Sequence, residues 1–186
     1  MGERRSPGAA VKLAVVVSFS ALIALGTVFS IPAPQPLGEI TWAPAIYMAL
    51  SLLVDTPVSF TATAVGSFIG ESYGVAFKGF PPIYAPGIVW ARAPETLIIG
   101  WARRRSRRAM VAAMVGATVF ETLAFFFPDW AFYTYGLFGY GLPTDVVSGF
   151  YSASFDLLTM VDVVFIPVAL GIVKAARPAF RRLGFE

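Results

Sequence analysis

The chain has no cysteine and no histidine. Without cysteine there is no disulfide framework and no thiolate metal site. Without either residue, soft and borderline transition metals lose the ligands they favour, and only a hard cation held by oxygen stays open. The commonest general base is missing as well. The phosphate loop GxxxxGK[ST] and the metalloprotease pattern HExxH do not occur. The sequence therefore reads as a non-enzyme with no cofactor. Charge is scarce: Asp, Glu, Lys and Arg make up only 13% of the 186 residues.

What is there is apolar. Hydrophobic residues make up 57% of the chain, and the mean hydropathy is +0.72. Soluble domains seldom exceed half apolar content. The length allows one compact bundle, so residues 1–186 are read as a single domain.

The positive charge is grouped. Every basic residue except Lys78 and Arg92 falls in one of three patches. These are Arg4, Arg5 and Lys12; Arg103, Arg104, Arg105, Arg107 and Arg108; and Lys174, Arg177, Arg181 and Arg182. Basic loops stay on the cytoplasmic side of a membrane. The net charge of +3 thus reads as a topology signal and not as a nucleic-acid surface. The first 30 residues imitate a secretory signal, but the run 11–31 is long enough to cross about 30 Å of hydrocarbon and more apolar runs follow. It reads as a first membrane helix.

Six spans can be drawn, at about 11–31, 40–54, 58–77, 88–102, 109–127 and 146–173. The sequence predicts an all-α, six-helix plasma-membrane bundle with both termini cytoplasmic. Loops 32–39, 78–87 and 128–145 would face outside. The fifth helix is expected to stop before Pro128. The second and fourth spans are short, so they either extend into their loops or cross where the protein itself gives cover. A re-entrant hairpin from spans two and three is the other arrangement.

Charged groups inside a membrane are costly and usually face a cavity or a partner. The spans hold Glu71, Arg92, Glu95, Glu121, Asp156 and Asp162. Counting depth at 1.5 Å per residue puts all but Asp162 in the outer half. That clustering predicts an outward-opening polar cavity with a surplus of acid, suited to a cationic or amine-bearing solute. Arg92 and Glu95, three apart, are expected to pair along one helix face. Trp42, Trp90, Trp130 and Tyr151, with Tyr47, Tyr73, Tyr84, Tyr133 and Tyr135, are candidate stacking faces, though belt positions explain aromatics there equally well. Small-xxx-small steps occur at Ala10–Ala14 and Gly66–Gly70, where helices can approach closely.

Three stretches carry a family likeness: Ser20-Ala21-Leu22-Ile23-Ala24-Leu25-Gly26, Gly38-Glu39-Ile40-Thr41-Trp42-Ala43-Pro44 and Gly70-Glu71-Ser72-Tyr73-Gly74. With six short helices, a proline-rich first outer loop and the alanine step, the chain resembles the S components of energy-coupling factor (ECF) transporters, the vitamin-binding membrane subunits. Glu71 beside Tyr73-Gly74, and Glu95 in Ala93-Pro94-Glu95-Thr96, are similar to the branch handling thiamine or its hydroxymethylpyrimidine precursor. The resemblance implies substrate capture from outside, without catalysis. It implies as partners a transmembrane coupling subunit and two cytoplasmic ATPases. It places Ala10 and Ala14 against the coupling subunit, and the vitamin on the outer side among helices four to six and the first and third loops, which agrees with the depth of Arg92, Glu95, Glu121 and Asp156. Glu71, on helix three, and the aromatics Trp42, Trp90, Trp130 and Tyr151 complete the substrate-binding candidates. The rival readings are a stand-alone proton- or sodium-coupled carrier and a small membrane enzyme or assembly factor.

Overall fold

In the computed structural model, residues 6–32 and 39–185 are described. Arg4, Arg5 and most of the expected first loop, 32–39, lie outside them. Helix α1 spans Ala9–Val28, α2 Ala43–Leu53, α3 Thr56–Phe77, α4 Tyr84–Trp101 and α5 Arg107–Tyr135. Then α6, Val146–Ala153, passes through a 3-10 stretch, Ser154–Phe165, into α7, Ile166–Arg182. The one sheet among the described residues is a small antiparallel hairpin, β1 Ser30–Pro32 and β2 Glu39–Thr41, with Ile31 opposite Ile40. The described residues are therefore mostly helical, with almost no sheet. Three segments are long and apolar enough to cross a membrane: Ala9–Val28, Arg107–Tyr135 and Val146–Arg182.

At one end of the bundle, Asp55 bridges Lys12 at 3.7 Å and Arg103 at 3.1 Å. This brings together the starts of α1 and α3 and the end of α4. Such half-exposed pairs contribute at most about 1 kcal/mol each. Their value is as markers of the basic end. The hairpin, the α3–α4 loop, the end of α5 and the start of α6 gather at the other.

Helix α2 explains how a short apolar segment is accommodated. At about 1.5 Å per residue its 11 residues cover only about 16 Å. It is buried on nearly every side, with Tyr47, Met48, Ala49 and Leu50 fully inaccessible. A helix that is apolar all round belongs in an interior. Helices α1, α3, α4 and α7 supply that cover. Helix α4 takes the other route and starts at Tyr84, so part of the expected 78–87 loop is helix.

Helices α1 and α3 meet through the Gly66–Gly70 step. A Cβ on Gly66 would stand 2.6 Å from the Ser20 carbonyl oxygen, and one on Gly70 would stand 2.6 Å from Thr27 Cβ. Only glycine permits backbones this close. The Ser20 hydroxyl uses the approach to donate to the Ala62 carbonyl at 3.1 Å.

Helix α5 departs from expectation. It runs straight through Pro128 to Tyr135 and ends on Gly136 in the left-handed region, φ 62°. A proline inside a helix leaves the carbonyl four residues earlier without its donor. That carbonyl belongs to Ala124, and the Trp90 indole Nε1 donates to it at 3.2 Å. A side chain on α4 thus repairs the backbone of α5. The expected aromatic loop shrinks accordingly and begins only after Tyr135.

Candidate functional site

A cavity of about 540 Å³ opens at the hairpin end of the bundle. Its floor and walls come from β2, the last turns of α3, the first half of α4, the second half of α5 and the 3-10 stretch. The charged lining residues are Glu71, Lys78, Arg92, Asp156 and Asp162. Phe80, Tyr84, Tyr133 and Phe155 supply aromatic faces.

Beneath Arg92 lies a buried polar network. Arg92 Nε donates to Glu121 Oε1 at 2.8 Å, and its Nη2 donates to Thr41 Oγ1 at 3.3 Å. The Tyr47 hydroxyl donates to Glu121 Oε2 at 3.3 Å. Glu95 and Glu121 are fully buried, and Arg92 and Asp162 nearly so. Glu95 and Asp162 both stand close enough to Glu121 to interact with it electrostatically. Among the described residues, neither Glu95 carboxyl oxygen has a hydrogen-bond partner, and nor do Arg92 Nη1 and Asp156 Oδ2. Three carboxyl groups thus share one guanidinium in a low-dielectric interior, where unpaired charge is expensive. The unpartnered carboxyl oxygens favour a positive or hydrogen-donating group at this depth.

The expected Arg92–Glu95 pair does not form. Arg92 reaches across to α5, where Glu121 faces it from the neighbouring helix. Asp162 lines the same cavity as Asp156. Trp130 Nε1 donates to the Val146 carbonyl at 2.9 Å, which fixes the start of α6 beside α5.

Of the residues singled out in the sequence for a substrate site, Glu71, Arg92 and Asp156 line the cavity. Glu95 and Glu121 lie behind its wall. Trp42, packed edge-on to Phe165 at 5.4 Å, does not line it. Nor do Trp90, Trp130 and the exposed Tyr151. Ala10 and Ala14 are exposed on α1, toward the basic end.

Sequence reading missed Lys78 and Phe80 on the wall, and an aromatic cap beside it. Tyr140 donates to Asp129 Oδ1 at 2.6 Å and stacks on Tyr84 at 5.9 Å with an 8° tilt. Burial, then Tyr84 and Asp129, hold the Tyr140 hydroxyl above its ordinary range, so it stays a proton donor. The signal in the sequence is weak, because Pro128 puts Asp129 in a loop, whereas in the structure it stands on α5 facing Tyr84.

Gly70-Glu71-Ser72-Tyr73-Gly74 also fits the G-x-S-x-G pattern of serine hydrolases. That pattern acts on a sharp strand-to-helix turn. Here Ser72 lies inside α3 and donates to its own helix at the Phe68 carbonyl, 2.7 Å away. No histidine exists to activate it. No group of three or more acidic side chains among the described residues could hold a metal ion.

No protein-family model, curated protein or solved structure matches the chain, so its residues and their geometry carry the functional reading.

Proposed function

We propose that this chain is the membrane-embedded substrate-capture subunit of an ECF-type importer. Its substrate class is a small water-soluble vitamin or precursor bearing an amino or cationic group, thiamine-like in chemistry. Helices α1 to α5 and the α6–α7 segment make six crossings of the plasma membrane, with both termini cytoplasmic. The chain hydrolyses nothing itself. A transmembrane coupling subunit and two ATPases drive release, and Ala10 and Ala14 present the contact surface on α1.

The observation that carries this reading is the cavity's place and lining. It opens at the end opposite the Asp55–Lys12–Arg103 cluster, which the charge rule assigns to the cytoplasm. Its volume suits a ligand of vitamin size. Asp156 and Glu71 offer carboxylates, while Tyr84, Tyr133 and Phe80 offer faces for a heterocycle.

The test is ligand binding by the purified protein. Thiamine, hydroxymethylpyrimidine and other water-soluble vitamins are screened for a rise in unfolding temperature, and co-purifying ligand is identified by mass spectrometry. Asp156→Asn is expected to weaken capture at least tenfold, and Asp55→Asn to leave it unchanged. No stabilisation by any vitamin, or equal effects of the two substitutions, sinks the reading.

A second reading, a proton- or sodium-coupled carrier, is favoured by the Glu95–Glu121–Asp162 surplus over Arg92. Uptake that survives loss of every coupling ATPase but collapses with the ion gradient would select it.

A further inference from the structure

A second cleft, of about 490 Å³, lies at the basic end of the bundle. Leu52, Leu53 and the buried rings of Phe180 and Phe185 form its floor. Arginines 103–105 stand on one side, with Arg177 and Arg181 on the other. None of its lining residues is acidic. Arg177 and Arg181 are four apart, so they share one face of the last turns of α7. Neither forms an ion pair among the described residues, and nor does Arg105. Arg105 instead lies over the Trp101 ring at 3.9 Å, and that ring is 64% exposed.

We propose that this cleft binds the phosphate headgroup of an anionic phospholipid. Guanidinium groups match phosphate with paired donors, and Arg105, Arg177 and Arg181 bring three of them to one cleft. The apolar floor and the exposed Trp101, Leu97 and Leu183 beside the arginines suit the glycerol and the first acyl carbons. A soluble anion would leave those surfaces uncovered. Basic pockets between helices on the cytoplasmic face are where anionic lipids settle. A headgroup here would staple α4 to α7 and relieve the repulsion between their arginines. The inference rests on the membrane reading above and is independent of which solute the outer cavity takes.

The full-length protein, purified in detergent, is offered equimolar dioleoyl phosphatidylglycerol and dioleoyl phosphatidylcholine and examined by native mass spectrometry and thermal unfolding. We expect phosphatidylglycerol to be retained preferentially and to raise the unfolding temperature. Arg177→Gln with Arg181→Gln should weaken that retention about tenfold or more, since each arginine near an anionic surface counts for about fivefold. Arg105→Gln, on an exposed side chain, gives a smaller loss in the same direction should the double variant fail to fold. Arg107→Gln with Arg108→Gln removes equal charge from next to the cleft but not within it, and should leave retention unchanged. Equal retention of both lipids overturns the proposal, as does an equal loss in the Arg107/Arg108 variant. Inorganic phosphate stabilising as well as the lipid overturns the lipid assignment, and so does polyglutamate held more tightly than phosphatidylglycerol. Failure of vitamin capture with lipid preference intact would count against the outer-cavity reading alone.

Discussion

Single side chains in this bundle do work that their residue type conceals. Trp90 reads as a belt or stacking residue, yet its indole replaces the donor that Pro128 removes from the Ala124 carbonyl. Trp90→Phe keeps the ring and deletes the donor, so it should cost about 1 kcal/mol of stability without weakening ligand capture. Thermal unfolding and vitamin binding on the same sample check this, and a selective loss of binding would return Trp90 to the site. Arg92 and Glu121 form a buried pair, with side chains 7% and 0% exposed. Removing one partner of such a pair strands the other and typically costs about 3–5 kcal/mol. Glu121→Gln should therefore be strongly destabilising, while Arg92→Met combined with Glu121→Leu should recover much of the loss. A double variant no better than the single ones would show that the pair is not coupled.

At the level of the element, close approach and capping decide where helices sit. The Gly66–Gly70 step sets the α1–α3 distance, so Gly66→Leu must push α1 away. It is expected to lower the unfolding temperature markedly, while Gly116→Ala, where an added Cβ meets nothing within 4 Å, should be neutral. The start of α6 depends on Asp145, which accepts from the backbone N–H groups of Val147 and Ser148 at 2.9 and 3.0 Å. The hydrogen bond from the Ser148 hydroxyl, then that from its backbone N–H, holds this carboxyl below its ordinary range. A depressed folded value means the cap is fully present above the ordinary carboxylate pKa of about 4 and is lost as pH falls through the lower folded value. Amide exchange at the start of α6 should accordingly quicken only on acidification below about pH 4, and Asp145→Ala should abolish that pH dependence. Protection that changes near neutrality would contradict the assignment.

For the whole molecule the question is orientation. The absence of cysteine makes a direct measurement simple, because any introduced thiol is the only one. Ser106→Cys at the basic end should resist a membrane-impermeant maleimide in intact cells, and Leu142→Cys, at an 86% exposed position in the loop after α5, should label. The reverse pattern would turn the cavity toward the cytoplasm and remove the uptake proposal. The ligand adds a second global readout: at a hundred times its Kd, a true substrate should stabilise the fold by about 2.7 kcal/mol.

The helical character, the grouping of basic residues and the gathering of acids toward one end could be read from the sequence, because each follows from local composition and spacing. Apolar runs without charge leave the backbone little choice but helix in a membrane. Partner choice could not be read in the same way. Arg92 had an acid three residues away in Glu95 and took Glu121 from another helix, since packing of α4 on α5 placed it nearer. Helix α5 outlasted Pro128 because a tryptophan from elsewhere supplied the missing donor. Tyr140 closed on Asp129 and Tyr84 across three segments. Chemistry along the chain set which groups were available. Only contacts between residues far apart in sequence, which depend on how helices cross and rotate, decided which of them meet.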